Sequence, residues 1–487
     1  MSSTSTPAGP SLVAREGERA AVGIVHIGLG AFHRAHQAWY TAAAPDAARW
    51  GIAAFTGRSP DAARVLADQD CVYSLIEKSA TGNRLTQVES IVEAHDGADI
   101  GRLRALMAMP AVGIVTLTIT ENGYALDPHG RVDPLLPPWV EEIHRLRSGD
   151  AAVTALGRLV SGLDARRTAG AGAIAVVPCD NLARNGAVTR AALDAIAGAV
   201  DGGLADWVAD HVSVVGTSVD RITPASTPAD ARLVRETLGR VDRAPVVTEE
   251  FSSWILSGDF PAGRPNWAAA GAQFVDDIAP FENRKLWMLN GAHLILAYGG
   301  LLRGHRTVFE AMSDPELRKR VERLWDTAAH HLTQPDLAVE AYREQLASRF
   351  LNPSIAHTLV QIAKQGSTKL SERIVPLIVR DADTYGDPGA GVDVLALWWE
   401  FVATRPPADA TDDVHFDSIA DAVSPEHAVD TQAEMILDLV YPGWASISTL
   451  PAALVASRHN MDLVTSEPPS PSLSSPTIRT PDQRTTP

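Results

Sequence analysis

Lys285, Asn290 and His293 place an amine, an amide and an imidazole within nine residues, in a stretch that is otherwise apolar. The stretch runs Pro280-Phe-Glu-Asn-Arg-Lys285-Leu-Trp-Met-Leu-Asn290-Gly-Ala-His293-Leu-Ile-Leu-Ala-Tyr298. Leu286 to Leu289 and Leu294 to Ala297 leave no wet face, which predicts a buried helix. Pro280 suits its first turn, where the missing N–H costs nothing. At about 100° per residue, with Lys285 at zero, Glu282 falls at roughly 60°, His293 at roughly 80° and Asn290 at roughly 140°. All four polar groups share one side of the rod. Buried ionisable groups are costly unless paired or put to use. A desolvated lysine has a lowered pKa and can act as a general base near neutral pH. The alternative is a helix start whose lysine snorkels to water.

Such a base needs a partner site, and the segments before it supply one. Ala21-Val-Gly-Ile-Val-His-Ile27 reads as a strand that ends in Gly28-Leu-Gly30-Ala31-Phe32-His33-Arg34 and enters a helix-like stretch from Ala35 to Ala44. A glycine turn between strand and helix is where a pyrophosphate is held against a helix N-terminus. His33 stands where the third glycine of that fingerprint is usual. A second strand, Ile52 to Thr56, runs into Gly57-Arg58-Ser59-Pro60-Asp61, where the adenosine ribose would sit. A carboxylate there selects NAD and a cation tolerates the 2′-phosphate of NADP. With both Arg58 and Asp61 in the loop, the choice stays open.

Tyr73–Ile76 and Leu85–Ala94 read as a strand pair inserted in the sheet. Val112–Ile119 is a near-continuous apolar strand of the kind buried on both faces of a parallel sheet. It leads to Thr120-Glu121-Asn122-Gly123-Tyr124, and another strand, Ala173–Val177, leads to Asp180-Asn181. Loops leaving such strands carry ligand contacts. Asn185-Gly186 is a turn signal, so Asn185 is read as structural. Strand and helix signals alternate up to about residue 278, which argues for a doubly wound parallel sheet. Beyond Pro280 only helical blocks follow, at Pro315–His331, Leu337–Ala347, Ile355–Ala363, Val392–Ala403 and Thr431–Val440. The expected division is a disordered segment 1–20, a dinucleotide domain 21–278, a helical catalytic domain 279–464 and a disordered Ser/Pro/Thr-rich tail 465–487.

The formal charge of −17 argues against nucleic acid or an anionic membrane as the main partner. Two cysteines, Cys71 and Cys179, make no disulfide framework, and no Cys/His spacing suits a metal. No signal peptide and no membrane span is read from the sequence, so a cytoplasmic protein is expected.

Several of these motifs, in order and spacing from about residue 21 to 375, resemble the long-chain mannitol dehydrogenase family of polyol and hexonate dehydrogenases. They are Gly28 to His36, Gln69 to Leu75, Thr118 to Tyr124, Cys179 to Gly186, Ser218 to Pro224, Phe260 to Trp267, Lys285 to His293 and Thr358 to Leu370. The resemblance implies a Rossmann-like domain with a mainly helical second domain. It implies metal-independent, NAD-linked oxidation of a secondary alcohol, and it leans towards a monomer. Carried over by position, Lys285 is the general base, Asn181 and Asn290 hydrogen-bond the reacting oxygen, and His293 orients the substrate. Ile27, Gly28, Gly30, Ala31, Phe32, His33, Arg34, Arg58, Thr118 and Glu121 fall to the cofactor, and Asp220, Gln361 and Lys369 to the substrate. Gln361 departs from an arginine found in some polyol-oxidising members, and Gln365 replaces an aspartate.

Neutral amide groups suit a sugar alcohol such as mannitol, oxidised to fructose, or arabinitol. A hexonate such as mannonate would want a cation for its carboxylate, and Lys369 or Arg373 could supply it. A non-catalytic NAD- or sugar-binding regulator is the reading from another class; it would not need Lys285, Asn290, His293 and Asn181 together.

Overall fold

The computed structural model describes residues 11–127, 131–355, 357–404 and 412–461. The expected tail, 465–487, lies outside the described residues, as do 1–10. Twelve strands are described: β1 Val22–Ile27, β2 Gly51–Phe55, β3 Tyr73–Ser79, β4 Gly82–Val88, β5 Ile91–His95, β6 Ile114–Leu117, β7 Ile174–Pro178, β8 Val212–Val214, β9 Gly216–Asp220, β10 Val246–Glu249, β11 Ser253–Ser257 and β12 Gln273–Phe274.

The main sheet is all parallel in the order β5-β2-β1-β6-β7-β8. Every side chain of β2, β6 and β7 is buried, as an apolar strand covered by helices on both faces should be. Ile27 lies opposite both Phe55 and Leu117, and Leu117 opposite Pro178, so four strands end in one row. The chain leaves β1 to one side for β2 and returns on the other as β6. The crevice at that reversal is where an open α/β sheet binds its ligand, and Gly28 and Thr118 form its lips.

Three sequence expectations are corrected. β3 and β4 are not inserted in the main sheet; they pair antiparallel with each other and join β10 in a separate three-stranded sheet. The stretch expected as one strand to Ala94 is broken between Val88 and Ile91, and only β5 joins the main sheet. Residues 11–20, expected to be disordered, are held down: Val13 is buried and donates its N–H to Val241 O at 2.9 Å, and Arg15 donates to the carbonyls of Glu89 and Ile91. Part of the cause is the open edge at β5, where the carbonyls of Ile91 and of Glu89 just before it take the arginine.

From Ala279 the described chain is helical. Its centre is the helix Gly291–Leu302, buried from Gly291 to Leu301 and packed under Trp287, Trp325, Trp398 and Trp399. This is the apolar rod of the sequence. Its polar side, with Asn290 and His293, lines the same cleft as Gly28 and Thr118. No described helix is long and apolar enough to cross a membrane.

Candidate active site

One cleft of about 1280 Å³ joins the two halves, bordered by Gly28, Gly30 to His33 and Thr118 on one side and by Lys285, Asn290 and His293 on the other. The turn at its mouth demands glycine. Gly28 has φ +113°, and a Cβ there would lie 2.1 Å from Thr118 O. Phe55 O accepts from the N–H groups of Gly28 and Leu29, and Thr118 Oγ1 donates to Gly28 O at 2.7 Å. These bonds fix a bare backbone surface at the start of the helix Ala31–Ala35, the cradle a pyrophosphate needs.

The ten expected cofactor residues separate. Gly28, Gly30, Ala31, Phe32, His33 and Thr118 border the cleft; Ile27, Arg34 and Arg58 do not. Ile27 is core. Arg34 is turned away, donating to Ala244 O at 2.6 Å with its guanidinium over Tyr73. Arg58 is exposed in the loop after β2, while Asp61 accepts from Ser59 Oγ at 2.6 Å and pairs with Arg64. The side chain of Glu121 lies outside the described part. His33 packs inward, stacked on His26, which is held between the hydroxyls of Thr116 and Thr118. An imidazole stack thus fills the place of the third glycine.

Asn181 is set by its neighbour. The buried Asp180 carboxyl accepts from Ile119 N at 2.5 Å and from Tyr124 Oη, tying the β6 and β7 exit loops together. Burial pushes Asp180 up to about 7 although both bonds favour its charged form. Asn185 bonds across to Thr217 in both directions and to Asp180 O, so it is structural, as its position suggested. With that loop anchored, Asn181 Oδ1 accepts from Lys285 Nζ at 2.5 Å.

Lys285 opens a π-helical turn, Lys285–Asn290, between the helices Ala279–Arg284 and Gly291–Leu302. Its widened i→i+5 spacing brings Asn290 over Lys285, nearer than the α-helical wheel predicted. Lys285 is lowered to about 8, mainly by burial, with Asp220 opposing and Arg373 and Arg349 adding to the fall. Asn290 Oδ1 and His293 Nε2 are buried without a partner among the described residues. Burial holds His293 well below its ordinary value, so its imidazole is neutral. Orphaned polar atoms on a cleft wall are what a polar ligand would satisfy. Glu282 accepts from Arg184 N at 3.1 Å. Glu282 and Lys285 both line a small cavity of about 30 Å³, and Glu282 also lines a second of about 520 Å³.

The substrate-side residues Asp220, Gln361 and Lys369 all border the cleft. Both oxygens of Asp220 are held by Arg349, at 2.7 and 2.9 Å. Arg349, on the helix Val339–Phe350, also binds Glu249 at 2.9 and 2.8 Å. All three are buried, and the pair locks the helical half to the sheet half. Burial would raise the Asp220 carboxyl; the Arg349 guanidinium holds it below its usual value. Lys369 Nζ donates to Ile362 O at 2.9 Å. Sequence reasoning missed Arg349, Asp180 and His357, which lines the cleft with its ring 5.1 Å from that of His293. The helix expected from Ile355 starts only at Leu359, so His357 stands in the segment before it and reaches the cleft from there; Asp180 lay unremarked beside Asn181 in a motif, and nothing marked Arg349.

Comparison with known proteins gives the family. The family model for the mannitol dehydrogenase Rossmann domain matches residues 22–269, and that for the mannitol dehydrogenase C-terminal domain matches 277–435. The D-mannonate oxidoreductase of Escherichia coli (strain K12) is 40% identical over 72% of this chain and 74% of its own. The mannitol 2-dehydrogenase of Cereibacter sphaeroides is 36% identical over 77% and 80%. The structure of Pseudomonas fluorescens mannitol 2-dehydrogenase, a ternary complex with NAD and D-mannitol, superposes with a TM-score of 0.79 at 33% identity, covering 92% of this chain and 93% of that one. The chain therefore belongs to the mannitol dehydrogenase family, oxidoreductases acting on CH–OH donors.

Proposed function

We propose that this chain oxidises a secondary alcohol of an acyclic sugar alcohol or sugar acid to the ketone, and catalyses the reverse reduction, with NAD as the redox partner. The supporting observation is the convergence of Lys285 and Asn181 at 2.5 Å on the cleft that also holds the Gly28–Gly30 turn. NAD, when bound, supplies the hydride acceptor. The bare backbone at Gly28 and Gly30 would hold its pyrophosphate, and the sheet crevice beside Thr118 its nicotinamide half. Arg58 leaves NADP open beside NAD.

The residues of the chain divide the remaining work. The neutral Lys285 amine takes the hydroxyl proton as the carbonyl forms, which its lowered pKa permits near neutral pH. Because Asn181 Oδ1 faces Lys285, its Nδ2 is left to donate towards the reacting oxygen, together with Asn290. Two preorganised amide donors stabilise the negative charge that gathers there. His293, neutral and unsatisfied at Nε2, fixes the neighbouring hydroxyl. Glu282 relays the proton outward: the cavity that it shares with Lys285 has room for water, and Glu282 also lines the larger cavity of about 520 Å³. The enzyme acts as a cytoplasmic monomer in this reading.

Following the absorbance of reduced nicotinamide while sugar alcohols and sugar acids are added tests the proposal. Nucleotide binding without turnover of any of them rejects it in favour of a binding protein.

A further inference from the structure

The π-turn that carries Lys285 and Asn290 is held from outside the cleft. Its ladder is widened: Gly291 donates its N–H to Leu286 O, five residues back. Such turns are rare, so an outside contact has to favour this one over an ordinary α-helical turn.

The helix Pro315–His331 supplies two such contacts. Trp325, 1% exposed, donates its indole Nε1–H to Met288 O, inside the turn, at 2.8 Å. A buried indole N–H does not find a partner by default here. Trp287 and Trp399, also buried, leave theirs without one among the described residues. Leu324, beside Trp325, packs where the chain leaves the turn. A Cβ on Gly291 would lie 2.9 Å from Leu324 Cδ2, so the two helices approach each other across a glycine. Trp325 also supports His293: its ring is stacked on Phe350 at 6.3 Å, and Phe350 lies 4.8 Å from the His293 ring. Leu324, Trp325 and Phe350 do not border the cleft.

What the turn does for the site follows from its pitch. On an α-helical wheel Asn290 falls about 140° from Lys285, so a plain α-helix would turn one of them away from the cleft. In the π-turn both line it. Lys285 has most to lose if the turn relaxes. Its bond to Asn181 and the burial that lowers its pKa both depend on where the turn points it.

We infer that Trp325 is a positioning residue for the reaction: its indole N–H, bound to Met288 O, keeps Lys285–Asn290 in the π-turn and so keeps amine and amide on one reacting point. It acts through the turn and touches neither substrate nor nucleotide. The inference rests on the reading of Lys285 as the base.

Trp325→Phe removes the donor and keeps an aromatic ring in the core. With the turn released, Lys285 leaves its buried place and its pKa rises towards that of an ordinary lysine. The midpoint of the pH profile for alcohol oxidation is expected to move up by about one unit, so kcat falls about tenfold near pH 7 and much less near pH 10. Nucleotide affinity by calorimetry should stay within about threefold. Acetylation of Lys285 by acetic anhydride, followed on its peptide across pH in nucleotide-free protein, should report the same rise. Leu324→Ala loosens the other contact without touching the indole. It should move the midpoint the same way by less, and it decides if Trp325→Phe does not fold. A merely structural role would lower turnover equally at every pH. That uniform loss, or an unmoved midpoint, overturns the inference. Near-normal turnover by Lys285→Ala, run beside these variants, overturns the base reading instead.

Discussion

Lys285 Nζ and Asn181 Oδ1 meet at 2.5 Å although they are 104 residues apart and belong to opposite halves of the chain. The lysine comes from the π-turn of the helical half, the asparagine from the exit loop of β7 in the sheet half. The contact makes the base and the oxyanion donors one unit, and the predictions below test its parts.

Lys285 is lowered to about 8, chiefly by burial, and sets the pH dependence. Oxidation needs the neutral amine, so kcat/KM for the alcohol should rise about tenfold per pH unit below the pKa and level off above it. Reduction needs the protonated amine and should fall as pH passes the same value. Profiles recorded in both directions check the sign; a flat oxidation profile from about pH 6 to 9 would contradict it.

Asn290→Ala removes a donor whose worth is greatest when the oxygen carries charge. A fall in kcat of about 10²- to 10³-fold is expected, with a much smaller change in KM. An effect confined to KM would place Asn290 in ground-state binding only.

Much of this site was legible in the sequence, because its parts depend on local rules. The glycine turn follows a β-branched strand, and Lys285, Asn290 and His293 interrupt an apolar run. What was hidden depends on distant partners. The π-turn has no propensity signature, so the α-helical wheel placed Asn290 too far from Lys285. Arg349 reads as one more charge on an amphipathic helix until Asp220 and Glu249 close on it. The separate β3–β4–β10 sheet was missed because β10 arrives more than 150 residues after β4 (Val88 to Val246).

Gly28→Ala should damage the cofactor cradle selectively. The residue has φ +113° and no room for a Cβ against Thr118 O, so the turn must shift away from the pyrophosphate. Nucleotide affinity by calorimetry is expected to weaken at least about tenfold, with backbone strain of about 1–3 kcal/mol. Unchanged affinity would mean that the nucleotide lies elsewhere.

Arg349→Met leaves the buried Asp220 and Glu249 carboxylates without their cation. Breaking such a cluster costs about 3–5 kcal/mol, seen as a lower thermal midpoint. Neutralising the carboxylates as well, in Asp220→Asn with Glu249→Gln, should recover much of the loss. A midpoint unaffected by Arg349→Met would show that the two halves are held together by other contacts.

The most direct test of the account is turnover by Lys285→Ala with nucleotide affinity measured on the same protein. The account predicts a kcat lowered by about 10²- to 10⁴-fold, the range of general base catalysis, with nucleotide binding intact. Near-normal turnover by that variant, with nucleotide still bound, would contradict the assignment of Lys285 as the base.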